Sequence, residues 1–225
     1  MKKRIYHGSK DIIKKPKYGI GKPYNDYGLG FYCTESLDLA KEWGVDEGRD
    51  GYANIYDLDM KDLKVLNLND EKYCILHWLA VLLKNRFFKT EAPLPLEVKE
   101  YIIENFLVDY SDVDIMIGYR ADDSYFAFAQ DFINNTISYN QLNKALRLGG
   151  LGEQIVLVSK KAFERIKYVG YENALNSEWF PKKENRDKTA RNDYYKMSKE
   201  EIDMDGLYVL DIIREEMKSD DPRLR

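Results

Sequence analysis

The chain has 225 residues, long enough for one sizeable core, and its 44% hydrophobic and 33% charged residues are the composition of a water-soluble globular protein. A formal net charge of −4 argues against wholesale adhesion to nucleic acid or an anionic membrane, while leaving room for a local basic patch. No apolar run approaches the roughly eighteen residues of a membrane span, and His7-Gly8-Ser9-Lys10 stands where a leader peptide would turn apolar, so a cytoplasmic location is expected. The two cysteines, Cys33 and Cys74, lack CxxC spacing and are expected as reduced thiols.

Residues 3–7 read as a first strand ending at Gly8-Ser9, with His7 at the strand end. Residues 10–26 are rich in Lys, Gly, Pro and Tyr and form a surface loop of a length that is often functional. The stretch Tyr27-Gly28-Leu29-Gly30-Phe31-Tyr32-Cys33-Thr34 is the most informative in the chain. Gly28 and Gly30 permit positive φ and close backbone approach, and the chain then turns extended. In a pleated strand Phe31 and Cys33 share the core face and Tyr32 takes the other, offered either to a cleft or to packing with its hydroxyl bonded.

Glu35-Ser36 opens a helix carrying Leu37, Ala40 and Trp43 at helical spacing, and Gly44 stops it. Residues 52–58 and 65–68 read as strands, and residues 73–88 and 96–107 as helices. His77 sits in the first of these helices as a satisfied polar group, since no Cys or second His lies at ligand spacing, and no metal site is expected. A strand over 114–118 runs into Ala121-Asp122-Asp123, where the carboxylates either cap the helix at 124–133 or orient an acceptor. A helix from Ile137-Ser138 ends at Gly149-Gly150. Glu153-Gln154 then introduces Ile155-Val156-Leu157-Val158, an apolar run suited to a central strand. A short helix at 161–165 and a strand at 168–171 close the core.

From residue 173 the chain turns polar and basic, and it is expected as a loop leading to an amphipathic helix at 206–217. That helix presents Leu207, Leu210, Ile213 and Met217 to the core, and residues 220–225 fray. The organisation expected is therefore a domain over 1–172, with 173–225 a basic loop and C-terminal helix packed on it, the basic stretch near the rim of a cleft.

Three polar signals thus stand at strand ends: His7-Gly8-Ser9, Gly30-Phe31-Tyr32-Cys33-Thr34 and Glu153-Gln154. Their order resembles the ADP-ribosyltransferase superfamily, in the branch marked by a His, a Tyr and a Glu or Gln from three strands, and within it the bacterial domain-of-unknown-function family 3990. The resemblance covers Lys3 to about Tyr171 and implies an α+β fold, a split antiparallel sheet with surrounding helices. It implies NAD as substrate, held by His7 on a ribose hydroxyl, by the Gly8 backbone on the nicotinamide amide and by Tyr32 stacked on the nicotinamide ring, with Ser9 and Thr34 adding hydroxyl contacts.

By position before Ile155 the third signature residue is Gln154, set on the 2′-hydroxyl of the nicotinamide ribose, with adjacent Glu153 as the alternative if it lies in a turn. A neutral Gln cannot offset an oxocarbenium charge as a carboxylate would. The resemblance implies transfer of ADP-ribose to a protein or nucleic-acid acceptor, in a toxin or phage-defence setting with a small antitoxin as partner. An NAD glycohydrolase and a silent NAD- or partner-binding module are the alternatives. The absence of GxGxxG and Walker motifs agrees with NAD handled outside a Rossmann site.

Overall fold

A computed structural model describes residues 2–87, 92–121, 123–150, 152–200 and 203–224, and the side chains of these apart from Asp123, Ser124 and Glu200. In chain order its elements begin with β1 (Lys2–Ser9), β2 (Phe31–Cys33), α1 (Leu37–Gly44), β3 (Gly51–Asp59) and β4 (Val65–Asn67). They continue with α2 (Ile75–Asn85), α3 (Pro93–Phe106), β5 (Ile115–Tyr119), α4 (Asp123–Ile133) and α5 (Tyr139–Ala145). A 3-10 turn at Leu148–Gly150 leads to β6 (Glu153–Leu157), α6 (Lys160–Glu164), β7 (Ile166–Ala174), α7 (Asn176–Glu200) and α8 (Val209–Arg214).

The strands make two sheets in an α+β arrangement, one three-stranded in the order β1-β3-β7 and the other four-stranded in the order β2-β6-β5-β4. The first is antiparallel throughout, and the second is antiparallel except that β4 pairs with β5 in parallel. This departs from an all-antiparallel expectation for a physical reason: α2 and α3 lie between β4 and β5, and a crossover of that length brings the chain back in the same direction. A single antiparallel bridge, Tyr6 with Thr34, stitches β1 of one sheet to the end of β2 in the other.

Alternation along the strands sorts side chains into two cores. Ile5, Tyr56 and Leu58 from the first sheet meet Phe31, Cys33, Ile115, Ile117, Ile155 and Leu157 from the second. The opposite face of the second sheet, with Met116 and Val156, is covered by α2, whose residues 75–83 are all buried, and by α3, α4 and α5. As a central strand β6 is buried on both faces beyond its first residue.

Three parts of the C-terminal reading need correction. The basic stretch expected as a loop is the 25-residue helix α7. Its stripe Trp179, Lys183, Arg186, Ala190, Tyr194, Met197 repeats every three or four residues, but two of its six positions are charged, which hides the helical period. In α8 the buried residues are Val209 and Ile212, with Met217 after it, while Leu207, Leu210 and Ile213 are only half-buried. The end of the chain is also held rather than frayed: Leu224 is buried, and its carbonyl accepts a hydrogen bond from the Tyr139 hydroxyl at 2.7 Å. Among the described residues, no helix is long and apolar enough to cross a membrane.

Candidate functional site

A cavity of about 930 Å³ opens between the ends of β1, β2 and β6, the loop before β2, and α7. His7, Gly8, Tyr32 and Gln154, drawn from three strands of two sheets, all line it. Ala121 lines it as well, while Asp122 lies outside the described residues and Asp123 is described only as the backbone that opens α4. Ser9, Thr34 and Glu153 do not line it.

The excluded three have other work. The Ser9 hydroxyl donates to the Asp11 carbonyl and accepts from Asn54, so it holds the start of the following loop. Thr34 is buried, and its Oγ1 accepts from the Ser36 amide at the entry to α1. Glu153 is a strand residue paired with Tyr119 rather than a turn residue. It therefore points away from Gln154, and its carboxylate accepts from Asn69 Nδ2 at 2.7 Å.

Backbone contacts fix His7. Its Nδ1–H donates to the Tyr32 carbonyl at 2.6 Å, and its ring stacks on Phe31 with centroids 4.3 Å apart. With the proton on Nδ1, Nε2 keeps a lone pair and is an acceptor. Burial pushes the imidazole below its ordinary pKa of 6.5, outweighing the carbonyl, which favours the charged form.

Tyr32 is held by its hydroxyl, which donates to the Gly28 carbonyl at 2.6 Å and accepts from the Tyr27 amide at 3.1 Å. Burial raises the pKa of this phenol, so it stays a neutral hydrogen-bonding group. The glycines that frame it divide their roles. Gly28 adopts φ 75°, which favours glycine, whereas Gly30 has ordinary φ and is needed because a Cβ there would come within 2.6 Å of Val156 Cγ1. Gly8 likewise allows α1 to cross β1, since a Cβ would meet the Ala40 carbonyl.

Gln154 is 6% exposed, and its Oε1 is buried with no hydrogen-bond partner among the described residues. Opposite it across the ladder is Gly118, where a side chain would run into the Tyr27 hydroxyl. Two further buried polar atoms lack a partner among the described residues, Asn69 Oδ1 away from the cavity and Trp43 Nε1, and Trp43 lines the same cavity. Native proteins rarely leave such atoms unpaired, and two around one cavity are groups that a polar ligand could satisfy. A half-turn of the amide exchanges its C=O and NH₂, so Gln154 presents either to a ligand.

Among the described residues the cavity lining is cationic although the chain is acidic: seven Lys and Arg side chains stand against four carboxylates. Arg120 stacks over the Trp43 ring at 4.1 Å. Arg86 reaches Asp26 and the Ala121 carbonyl, fastening the end of the loop to the end of β5. Arg186 grips Glu42 through two bonds of 2.8 Å and the Gly149 carbonyl at 2.7 Å, so α7 is tied to α1 and to the turn before β6.

Sequence reasoning placed the basic stretch that holds Lys183 and Arg186 at the rim of a cleft without assigning either residue a contact, and it missed Trp43, Arg86 and Arg120 as site residues. Lys183 and Arg186 were findable as charged interruptions of an otherwise regular stripe on α7, and Trp43 as an aromatic beside the helix-ending Gly44. Arg86 and Arg120 carry no sequence signal, because only the tertiary fold brings a helix end and a strand end to the same wall.

The family described as "Protein of unknown function (DUF3990)" matches residues 3–168. The chain belongs to the DUF3990 family. The matched segment contains His7, Tyr32 and Gln154, while the DUF3990 match ends within β7, so α7 contributes its share of the cavity wall from beyond it. No curated protein and no solved structure matches the chain.

Proposed function

We propose that the DUF3990 protein is an NAD-dependent ADP-ribosyltransferase. The observation that carries this reading is the meeting of His7, Tyr32 and Gln154 in one cationic cavity, with the Gln154 amide oxygen buried and unpartnered. The cavity volume lies at the upper end of the range of small-molecule and cofactor pockets. His7 Nε2 accepts from a ribose hydroxyl, the Tyr32 ring lies against the flat cationic nicotinamide, and Gln154 holds the 2′-hydroxyl as charge builds on the ribose.

In the reaction the bond from ribose C1′ to the nicotinamide nitrogen breaks, and its electron pair neutralises the pyridinium. The acceptor's lone pair forms the new bond at C1′ and its proton goes to solvent. No nucleophilic side chain is needed, which agrees with Cys33 lying between the sheets with burial raising its thiol pKa.

The neutral Gln154 favours a second reading, a domain that binds NAD without turnover. Incubation with NAD separates the two. Nicotinamide release with label on a macromolecule supports transfer, release without label means water is the acceptor, and tight binding without release leaves only a binder. Tyr32→Ala should weaken NAD binding by about 1–3 kcal/mol in calorimetry, and unchanged affinity in the folded variant overturns the assignment of the cavity.

A further inference from the structure

The loop of residues 10–24 carries Lys10, Lys14, Lys15, Lys17 and Lys22 against a single carboxylate, Asp11, in a chain whose net charge is −4. Lys14, Lys15, Lys17 and Lys22 are exposed, and none of them forms an ion pair among the described residues. Between and beside them stand Tyr18, Ile20 and Tyr24, exposed at 48%, 66% and 70%. Three large apolar side chains this exposed, clustered among cations without ion pairs, are an unusual surface.

Both ends of this loop are fastened. Asn54, fully buried, accepts from the Ile13 amide and donates to Ser9 Oγ and the Asp11 carbonyl, and the Tyr56 hydroxyl donates to the Ile13 carbonyl. At the other end the Ala121 amide and Arg86 hold Asp26. The cationic middle is thereby kept at the mouth of the cavity, where Lys15, Lys17 and Ile20 form part of the lining. Tyr18 packs edge-on against Phe163 at 5.7 Å with Lys160 at 5.9 Å from its ring, which extends the surface onto α6. Across the mouth the α7 cations that line the cavity are already engaged, Lys183 with the Val45 carbonyl, Arg186 with Glu42 and Arg191 with Asp187.

We propose that residues 10–24 bind single-stranded nucleic acid and, resting on the reading of the cavity given above, that the bound strand is the acceptor of ADP-ribose. A dinucleotide inside the cavity leaves Lys14, Tyr18, Lys22 and Tyr24 unused, because none of these lines it. A longer polyanion uses them all, its phosphates on the lysines and its bases stacked on the tyrosines, a recognition that needs no sequence preference.

The test is fluorescence anisotropy of the full chain with labelled twelve-nucleotide oligouridylate and oligothymidylate, without NAD, across a salt series. The wild-type protein should bind, and more weakly as salt rises. The combined variant Lys14→Gln, Lys15→Gln, Lys17→Gln, Lys22→Gln should lower the slope of log K against log salt by about 3, and Tyr24→Ala should weaken binding about 5-fold. Absence of binding, an unchanged slope in the combined variant, or equal lysine-dependent binding of polyglutamate or anionic vesicles overturns the proposal.

With labelled NAD added, transfer of label to the oligonucleotide supports its role as acceptor, and nicotinamide release that leaves the oligonucleotide unlabelled overturns that role. Failure of NAD to bind or react while anisotropy behaves as expected counts against the cavity reading and the acceptor role, and leaves the strand-binding surface standing.

Discussion

Asn54 and Gln154 are both buried carboxamides on strands, and the fold treats them in opposite ways. Asn54 on β3 is saturated: its Oδ1 accepts from the Ile13 amide and its Nδ2 is shared by the His7 carbonyl, Ser9 Oγ and the Asp11 carbonyl. Gln154 on β6 has a buried Oε1 that nothing in the described protein satisfies. A saturated buried amide holds structure together, whereas an unsatisfied one at a cavity costs stability and persists where a ligand uses it. The same division separates the loop anchor from the cavity wall.

The sharpest way to break this comparison is to remove both amides. Asn54→Leu strands the Ile13 amide and removes the bonds from Nδ2 to the carbonyls of His7 and Asp11, and should cost about 3 kcal/mol in urea unfolding while making the 10–24 loop more sensitive to protease. A cost below about 1 kcal/mol would mean that the loop is held by other contacts. Gln154→Leu should leave stability within about 1 kcal/mol of wild type, unchanged or higher, because it removes an unsatisfied group. The same variant should lower nicotinamide release about 100-fold or more, the order seen when a single polar group that stabilises developing charge is lost. Large destabilisation with activity retained would reverse the roles of the two amides.

His7 sharpens the comparison through pH. Its folded pKa is depressed, so the unfolded chain takes up the proton first as pH falls. Its contribution to stability is fully present above 6.5 and is lost as pH drops from there through the folded value. His77 is shifted in the same direction by burial, so unfolding of wild type and of His7→Gln must be compared across pH 4.5 to 8. The expected result is a shallower decline in the variant, the remaining slope belonging partly to His77. Identical profiles would show that His7 is not a neutral base with a depressed pKa.

The smallest effect is expected next door. Glu153→Gln should change stability by no more than about 0.5 kcal/mol and leave nicotinamide release intact, because the carboxylate is exposed and turned toward Asn69. A collapse of turnover in this variant would transfer the catalytic assignment from Gln154 to its neighbour.

Most strands and helices up to β7 were legible because burial imposes a period on the sequence. Phe31-Tyr32-Cys33 alternates as read, α1 opens at Glu35-Ser36 as read, with Ser36 its cap, and β6 occupies a central position as its unbroken apolar run required. Where charge intrudes on the period the reading fails, as in α7, whose contacts with the core are made at Trp179, Ala190, Tyr194 and Met197 while Lys183 and Arg186 face the cavity. The buried stripe of α8 was misjudged by one step, since Val209 and Ile212 are as apolar as Leu210 and Ile213 and only packing chooses between the two faces.

The sequence by itself determined the local choices: which segments are extended or helical, that Tyr32 leaves the core face, and that Gln154 and Glu153 diverge once both lie in a strand. Those follow from side-chain period and glycine geometry, which act over a few residues. The tertiary structure alone decided that Ser9 and Thr34 serve local backbone contacts, that β4 joins β5 in parallel, and that Arg86, Arg120 and α7 complete one wall. These depend on contacts between residues far apart in the chain, such as Arg186 with Glu42, and on which polar atoms remain unpaired after folding, a property no single residue carries.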